Sequence, residues 1–450
     1  MKPSITRTAD TTEPLIDWGK YLTAIERCQP IRQEGKVLKV AGLVLEASGP
    51  GLSVGSLCAV HAPDGRLIPA EIVGFKDKRV IAMPFGEVKG IKPGSRMVDL
   101  NRRAFVHVGK GFLGRVIDGM GQPLDKVGPV SSKVEYPVQG VPLNPLHRGI
   151  IHEVLDVGVR SINALATVGK GQRIAIMSGS GVGKSVLMGM IARNTAAAVS
   201  IIALIGERGR EVREFLERSL GEAGLRKSVV VVATADSPPL VKIRAAHLSA
   251  AMAEYFRDQG LDVILMMDSV TRYAMALREV GLAAGEPPSS RGYTPSVFSE
   301  IPKLLERAGN LEKGGSITGI FNVLVEGDDM NEPIADSIRS VADGHIVLSR
   351  SLAQKGHFPA VDPLASLSRV MNDIVKPEQR RLATKTIKTL AVYREAEDLI
   401  NIGAYADGSD PEIDFAKKSI GKINGFLQQG MHEKASFDES LSALMRLFEG

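Results

Sequence analysis

The chain has 450 residues, more than one hydrophobic core covers when domains hold roughly 100–200 residues, so two or three domains are expected. Hydrophobic residues at 44% and charged residues at 24% exclude a disordered or fibrous chain, and a net charge of +5 (56 Lys and Arg, 51 Asp and Glu) is too small to require nucleic acid. Cys28 and Cys58 form no CxxC or Cys/His cluster, and no apolar run reaches the roughly 18–20 residues that span a bilayer, so a reducing cytoplasm fits and any membrane link is peripheral or through a partner.

Residues 1–14 are polar, after which Leu15, Trp18, Leu22 and Ile25 recur at helical spacing and predict a short amphipathic helix. That stripe either packs on its own chain or docks a partner. From about Gly35 to Leu100, β-rich runs at 37–45, 57–61, 68–75 and 79–83 are punctuated by Ser48-Gly49-Pro50-Gly51, Pro63-Asp64-Gly65 and Lys92-Pro93-Gly94. These predict a small β-barrel. Gly109, Gly111 and Gly114 satisfy a GxGxxG spacing, but too few residues precede them for a βαβ unit and no long helical pattern follows. They read as loop glycines.

After Gly171 apolar strands at 173–177, 200–205, 228–234, 262–267, 316–325 and 345–348 alternate with helical stretches, the pattern of a largely parallel sheet covered by helices. Beyond Pro377 the strands stop, and 380–402, 411–429 and 437–448 read as helices. The predicted divisions are an N-terminal arm (1–30), a β-barrel (31–100), an α/β core (101–375) and a helical C-terminal domain (376–450).

The strand 173–177 runs into Ser178-Gly179-Ser180-Gly181-Val182-Gly183-Lys184-Ser185, and Val186 continues a helical run to Arg193. Strand, glycine loop and helix in that order make a P-loop. Glycines let backbone N–H groups converge on phosphate, Lys184 reaches the β and γ phosphates, and the Ser185 hydroxyl binds Mg²⁺. Ser178 departs from the strict pattern, which opens with Gly. The strand 262–267 ends in Asp268, placed beside the P-loop strand to hold Mg²⁺ through water. The strand 200–205 delivers Gly206-Glu207-Arg208-Gly209-Arg210-Glu211 to the edge where such sheets bind ligands, with Glu207 the candidate base and Arg208 a candidate clamp.

At these residues the sequence resembles the hexameric RecA-like ATPases that include the rotary ATP synthase catalytic subunit, and within them the flagellar and type III secretion protein-export ATPases. The resemblance spans nearly the whole chain and includes Leu113-Gly114-Arg115-Val116-Ile117-Asp118-Gly119, Asp268-Ser269-Val270-Thr271-Arg272-Tyr273, Pro295-Ser296-Val297-Phe298, Phe358-Pro359-Ala360-Val361-Asp362 and Ser368-Arg369. It implies a RecA-like core between an N-terminal barrel and a C-terminal helical domain. A small residue commonly opens the P-loop in this family, which accounts for Ser178. The resemblance makes Glu207 the catalytic glutamate, Arg208 the basic residue beside it and Asp268 the Walker B aspartate. It makes Arg272 an arginine near the phosphates, Arg369 a finger reaching a neighbouring subunit's nucleotide, and Phe358 an aromatic against adenine.

By the same resemblance the chain acts as a homohexamer with ATP and Mg²⁺, at the inner face of the membrane. The arm would dock a coiled-coil regulatory stator protein, and the ring would meet export-gate membrane proteins, chaperones and their substrates. The stretch Gly285-Glu286-Pro287-Pro288-Ser289-Ser290-Arg291-Gly292-Tyr293 looks flagellar rather than virulence-type. A nucleic-acid translocase of the transcription-terminator type would stack bases on barrel aromatics, and the barrel offers only Phe75 and Phe85. A non-catalytic ring subunit would lack Glu207.

Overall fold

The structure is a computed structural model that describes residues 18–26, 34–49, 51–100, 105–130, 132–325, 327 and 329–449. Leu15, Cys28 and most of the predicted arm lie outside the described residues. Within it, Trp18–Glu26 is a helix, and Trp18, Leu22 and Ile25 are 64%, 59% and 67% exposed. This part of the stripe does not pack on its own chain.

Alternation of inward and outward residues builds the barrel. Strands β1 (Glu34–Ala41), β2 (Val44–Ser48), β3 (Leu57–His61), β4 (Leu67–Lys76), β5 (Arg79–Pro84) and β6 (Arg96–Asp99) close in the order β1-β2-β5-β4-β3-β6. Val37, Leu45, Val60, Ile72, Ala82 and Met97 fill the interior. The expected single run over 37–45 is two strands, because the chain reverses between Ala41 and Val44 at Gly42, whose φ is +59°. Nothing polar marks that turn in the sequence. Asp77 and Lys78, both at positive φ, join β4 to β5 as a two-residue turn whose twist suits a hairpin.

Next come β7 (Phe105–Val108), β8 (Val116–Asp118) and β9 (Val134–Pro137), with β7 and β9 paired as a separate ribbon. The region of Gly109, Gly111 and Gly114 holds only a short turn of helix between β7 and β8, so no dinucleotide-binding unit forms there. The main sheet takes β8 together with β10 (Arg173–Ser178), β11 (Val199–Ile205), β12 (Ser228–Ala233), β13 (Asp262–Asp268), β14 (Gly309–Asn310), β15 (Ser316–Leu324), β16 (Gly344–Leu348) and β17 (Leu367–Ser368). Its order is β17-β16-β10-β15-β13-β11-β12-β8, with β14 on β15. The pairs from β16 to β8 are parallel. Strands β11 and β12 are buried at every residue, as helices on both faces require.

One expectation about this sheet is corrected. The strand ending in Asp268 does not lie beside the P-loop strand, because β15 pairs with both β10 and β13 and separates them. Alternating strands and helices in a sequence fix that a sheet is parallel but leave its lateral order open. The two strands still end at the same C-terminal edge.

The last three helices are Pro377–Asn401, Pro411–Leu427 and Phe437–Arg446. Two begin with proline at the first turn, where its missing N–H would be unpaired anyway, and Ser436 and Glu439 cap the third reciprocally. Leu382, Ile423, Phe426 and Leu444 pack with Ala164 and Leu165 of the core. Among the described residues no helix is long and apolar enough to cross a membrane.

Candidate active site

Strand β10 ends at Ser178, the loop passes through Gly179 to Gly183, and the helix Lys184–Asn194 follows. Gly183, with a φ of +91°, is the residue that turns loop into helix, a conformation that side chains with a Cβ rarely adopt. Ser178 is buried and its carbonyl accepts from the Val325 N–H. Ser180, Ser185 and Val186 are exposed around the helix N-terminus, whose partial positive charge favours an anion.

Three strands converge on Lys184. Its ammonium is ion-paired with Asp268 Oδ1 at 2.5 Å, from the end of β13, and lies 3.7 Å from Glu207 Oε1, just past the end of β11. Their side chains are only 11%, 3% and 18% exposed for Lys184, Asp268 and Glu207. Charges so withdrawn from water need partners, and each carboxylate finds one in the lysine.

Burial, and then the negative charge of Asp268, push the Glu207 carboxyl up to about 7, against the opposing pull of Lys184. Glu211 moves the other way, its acidity raised chiefly by the hydrogen bond it shares with Glu207. Glu207 therefore holds the proton of this pair near neutral pH. Sequence reasoning gave Glu211 no role. Its signal was the four-residue spacing from Glu207 across the start of the helix Gly209–Glu214.

The other candidates divide. Arg208 is not among the partners of Lys184, and its exposed guanidinium donates to Glu211 Oε1 at 3.1 Å. Arg272 lays its side-chain stem over Gly206, so closely that a Cβ there would stand 2.7 Å from it. This places Arg272 against the backbone that presents Glu207. Phe358 is half exposed, with its ring edge 3.6 Å from where a Cβ of Gly183 would sit. The P-loop and the predicted base-stacking aromatic are therefore neighbours.

Arg369 is elsewhere. Its N–H donates to the Asp343 carbonyl, and Asp343 also receives the Arg173 N–H, at the start of β10. The P-loop leaves from the opposite end of that strand, five residues on, and at roughly 3.3 Å per residue the separation is about 17 Å. Of the two barrel aromatics Phe85 is buried and only Phe75 is exposed, which leaves no run of faces for stacking bases.

Three family models match along the chain. They are the beta-barrel domain of the ATP synthase alpha/beta family (37–101), the nucleotide-binding domain of that family (158–368) and the type III secretion EscN ATPase C-terminal domain (375–446). The flagellum-specific ATP synthase of Bacillus subtilis is 52% identical over 97% of this chain and 98% of its own length. Among solved structures, the assembled ATPase EscN of the enteropathogenic E. coli type III secretion system is 44% identical, with a TM-score of 0.86 over 92% of this chain and 99% of that one. The same ATPase in complex with its central stalk EscO is 43% identical, with a TM-score of 0.85 over the same shares. With the P-loop, Glu207 and Asp268 standing at one sheet edge, the chain belongs to the family of flagellum-specific ATP synthases and type III secretion ATPases, within the ATP synthase alpha/beta group.

Proposed function

We propose that this chain hydrolyses ATP in a homohexameric ring that drives export of flagellar proteins by a type III secretion route, with Glu207 as general base. The observation that carries the reading is the cluster at the P-loop, where one lysine stands between a buried aspartate and a glutamate whose carboxyl titrates near 7. A base tuned close to the working pH is ionised often enough to act and basic enough to take a proton.

Mg²⁺ fits the residues present. Ser185 is exposed at the loop, the Asp268 carboxylate is buried against the neighbouring Lys184, and no cluster of three or more His, Cys, Asp or Glu among the described residues offers a dedicated cage. Sparse hard-oxygen donors suit an ion that keeps water and substrate phosphate as its remaining ligands. When bound, it supplies charge neutralisation on the phosphates.

The chain's own groups do the rest. The loop 178–186 cradles the triphosphate with backbone N–H groups, and Lys184 exchanges Asp268 for the β and γ phosphates. Ionised Glu207 orients the attacking water and accepts its proton as the water oxygen bonds to the γ phosphorus and the ADP oxygen leaves. Arg272 and Arg208 line the approach, and Phe358 stacks on adenine. Arg369, at the far end of β10 from its own P-loop, acts in trans on the neighbouring subunit's γ phosphate. By likeness to the EscN complex with its central stalk EscO, the ring takes a partner protein. The exposed Trp18, Leu22 and Ile25 stripe docks the regulatory stator protein, which places the ring at the inner face of the membrane near the export gate and its chaperones.

Comparing ATP affinity and turnover in Lys184→Ala and Glu207→Gln tests the site. Lys184→Ala should abolish hydrolysis, and Glu207→Gln should bind ATP while losing most turnover. Near-normal turnover in Glu207→Gln would remove it from the chemistry.

A further inference from the structure

The segment between the helices Pro411–Leu427 and Phe437–Arg446 belongs to the C-terminal domain by sequence, yet it is fastened to the nucleotide site. The Gln429 N–H donates to the Phe358 carbonyl at 3.0 Å. At the other end of the P-loop helix, the Arg193 guanidinium donates to the Met431 carbonyl. One short stretch of chain thus touches both the aromatic over Gly183 and the last turn of the helix that Gly183 starts.

Gln429 fixes that stretch. Its side chain is 95% buried, and its amide is fully engaged: Oε1 accepts from the Arg160 N–H at 2.8 Å, while Nε2 donates to the Gly158 carbonyl at 3.0 Å and the Glu433 carbonyl at 2.9 Å. Arg160 grips the same stretch from outside, donating to the Phe426 and Gln428 carbonyls and pairing with Glu433. A buried amide with its hydrogen-bonding capacity committed to three backbone positions specifies one placement, since any shift strands a polar group. That placement sets where the Phe358 carbonyl, and with it the ring, stands over the P-loop.

We propose that Gln429 is a positioning residue of the nucleotide site, through which the C-terminal domain sets Phe358 against the base of the bound nucleotide. The proposal rests on the reading of Phe358 as the base-stacking residue. Loss of the Gln429 side-chain bonds lets Phe358 move off the base without touching Lys184, Asp268 or Glu207. Binding of the base weakens and the chemical step does not.

The test measures ATP and tripolyphosphate affinity, with KM and kcat for ATP, in full-length Gln429→Met, Phe358→Ala and the double variant. Methionine keeps the length and volume of Gln429 without its hydrogen bonds. Aromatic stacking of about 0.5–1.5 kcal/mol corresponds to a rise of about 2- to 12-fold in KM and in the ATP dissociation constant. Gln429→Met should show that rise with kcat and tripolyphosphate affinity near wild type, and should add nothing once Phe358 is alanine. Equal losses for ATP and tripolyphosphate, a fall in kcat alone, or effects additive with Phe358→Ala would overturn the role of Gln429. Unchanged ATP affinity in Phe358→Ala would instead overturn the base-stacking reading on which it rests. If Gln429→Met does not fold, Arg160→Met loosens the same segment from its outer side and should give the same split, and its failure to do so would count against the proposal.

Discussion

Replacing Glu207 with Gln removes the only group at the P-loop cluster whose carboxyl is pushed up to about 7. With that value the ionised fraction is about 9% at pH 6 and about 91% at pH 8, so kcat/KM of the wild type should rise roughly tenfold across those two units. Glu207→Gln should lose this rise and lie about 10²- to 10⁴-fold below the wild-type plateau, the range for a positioned general base. A coupled ATPase assay from pH 5.5 to 8.5, run on both proteins at one ring concentration, reads both effects, and the part of the rise lost in Glu207→Gln is the part that belongs to Glu207. The same shift acts on stability. A folded-state carboxyl raised above its ordinary value of 4.5 holds its proton more tightly than the unfolded chain does, so stability falls as pH rises from about 4.5 through about 7. Glu207→Gln should therefore gain thermal stability over wild type at pH 8 and not at pH 4. A wild-type rise that persists undiminished in Glu207→Gln would show that another group is the base.

Other outcomes follow from the same cluster and from the arm. Asp268→Asn removes the second-largest influence raising Glu207, so the rise in kcat/KM, at lower overall activity, should move to lower pH, and a midpoint fixed near 7 would contradict the pairing. Lys184→Ala should lower turnover by at least about 10²- to 10³-fold through loss of a phosphate-directed donor, measured by phosphate release, with tripolyphosphate binding lost as well. Deletion of residues 1–28 should abolish pull-down of the coiled-coil partner while leaving ATPase activity in place, and undiminished binding would assign the Trp18 stripe another use.

Much of this was legible because the chemistry is concentrated in short contiguous motifs. The loop 178–185 declares itself by glycines at fixed spacing between a strand and a helix, and Glu207 and Asp268 by standing at the ends of apolar strands. What stayed hidden depends on lateral order or on distant chain. The interposition of β15 between β10 and β13 leaves no trace in either strand's sequence. The three residues of β8 are too few to show a period, and the turn at Gly42 sits inside an apolar run. The shared proton of Glu207 and Glu211 depends on burial, and the hold of Gln429 on Phe358 joins residues 71 positions apart, which no local pattern encodes.

The proposal that Arg369, at the far end of β10 from its own P-loop, completes a neighbouring subunit's site is tested most directly by mixing variants. Lys184→Ala supplies an intact finger and Arg369→Ala an intact P-loop, and each alone should be nearly inactive, since a finger in trans contributes roughly 10³- to 10⁵-fold. Wild-type ATPase activity should rise more steeply than linearly with protein concentration as rings form, and co-assembled mixtures of the two variants should regain activity that neither has alone. Activity strictly proportional to concentration, with no recovery in any mixture shown to co-assemble, would contradict a site shared between subunits.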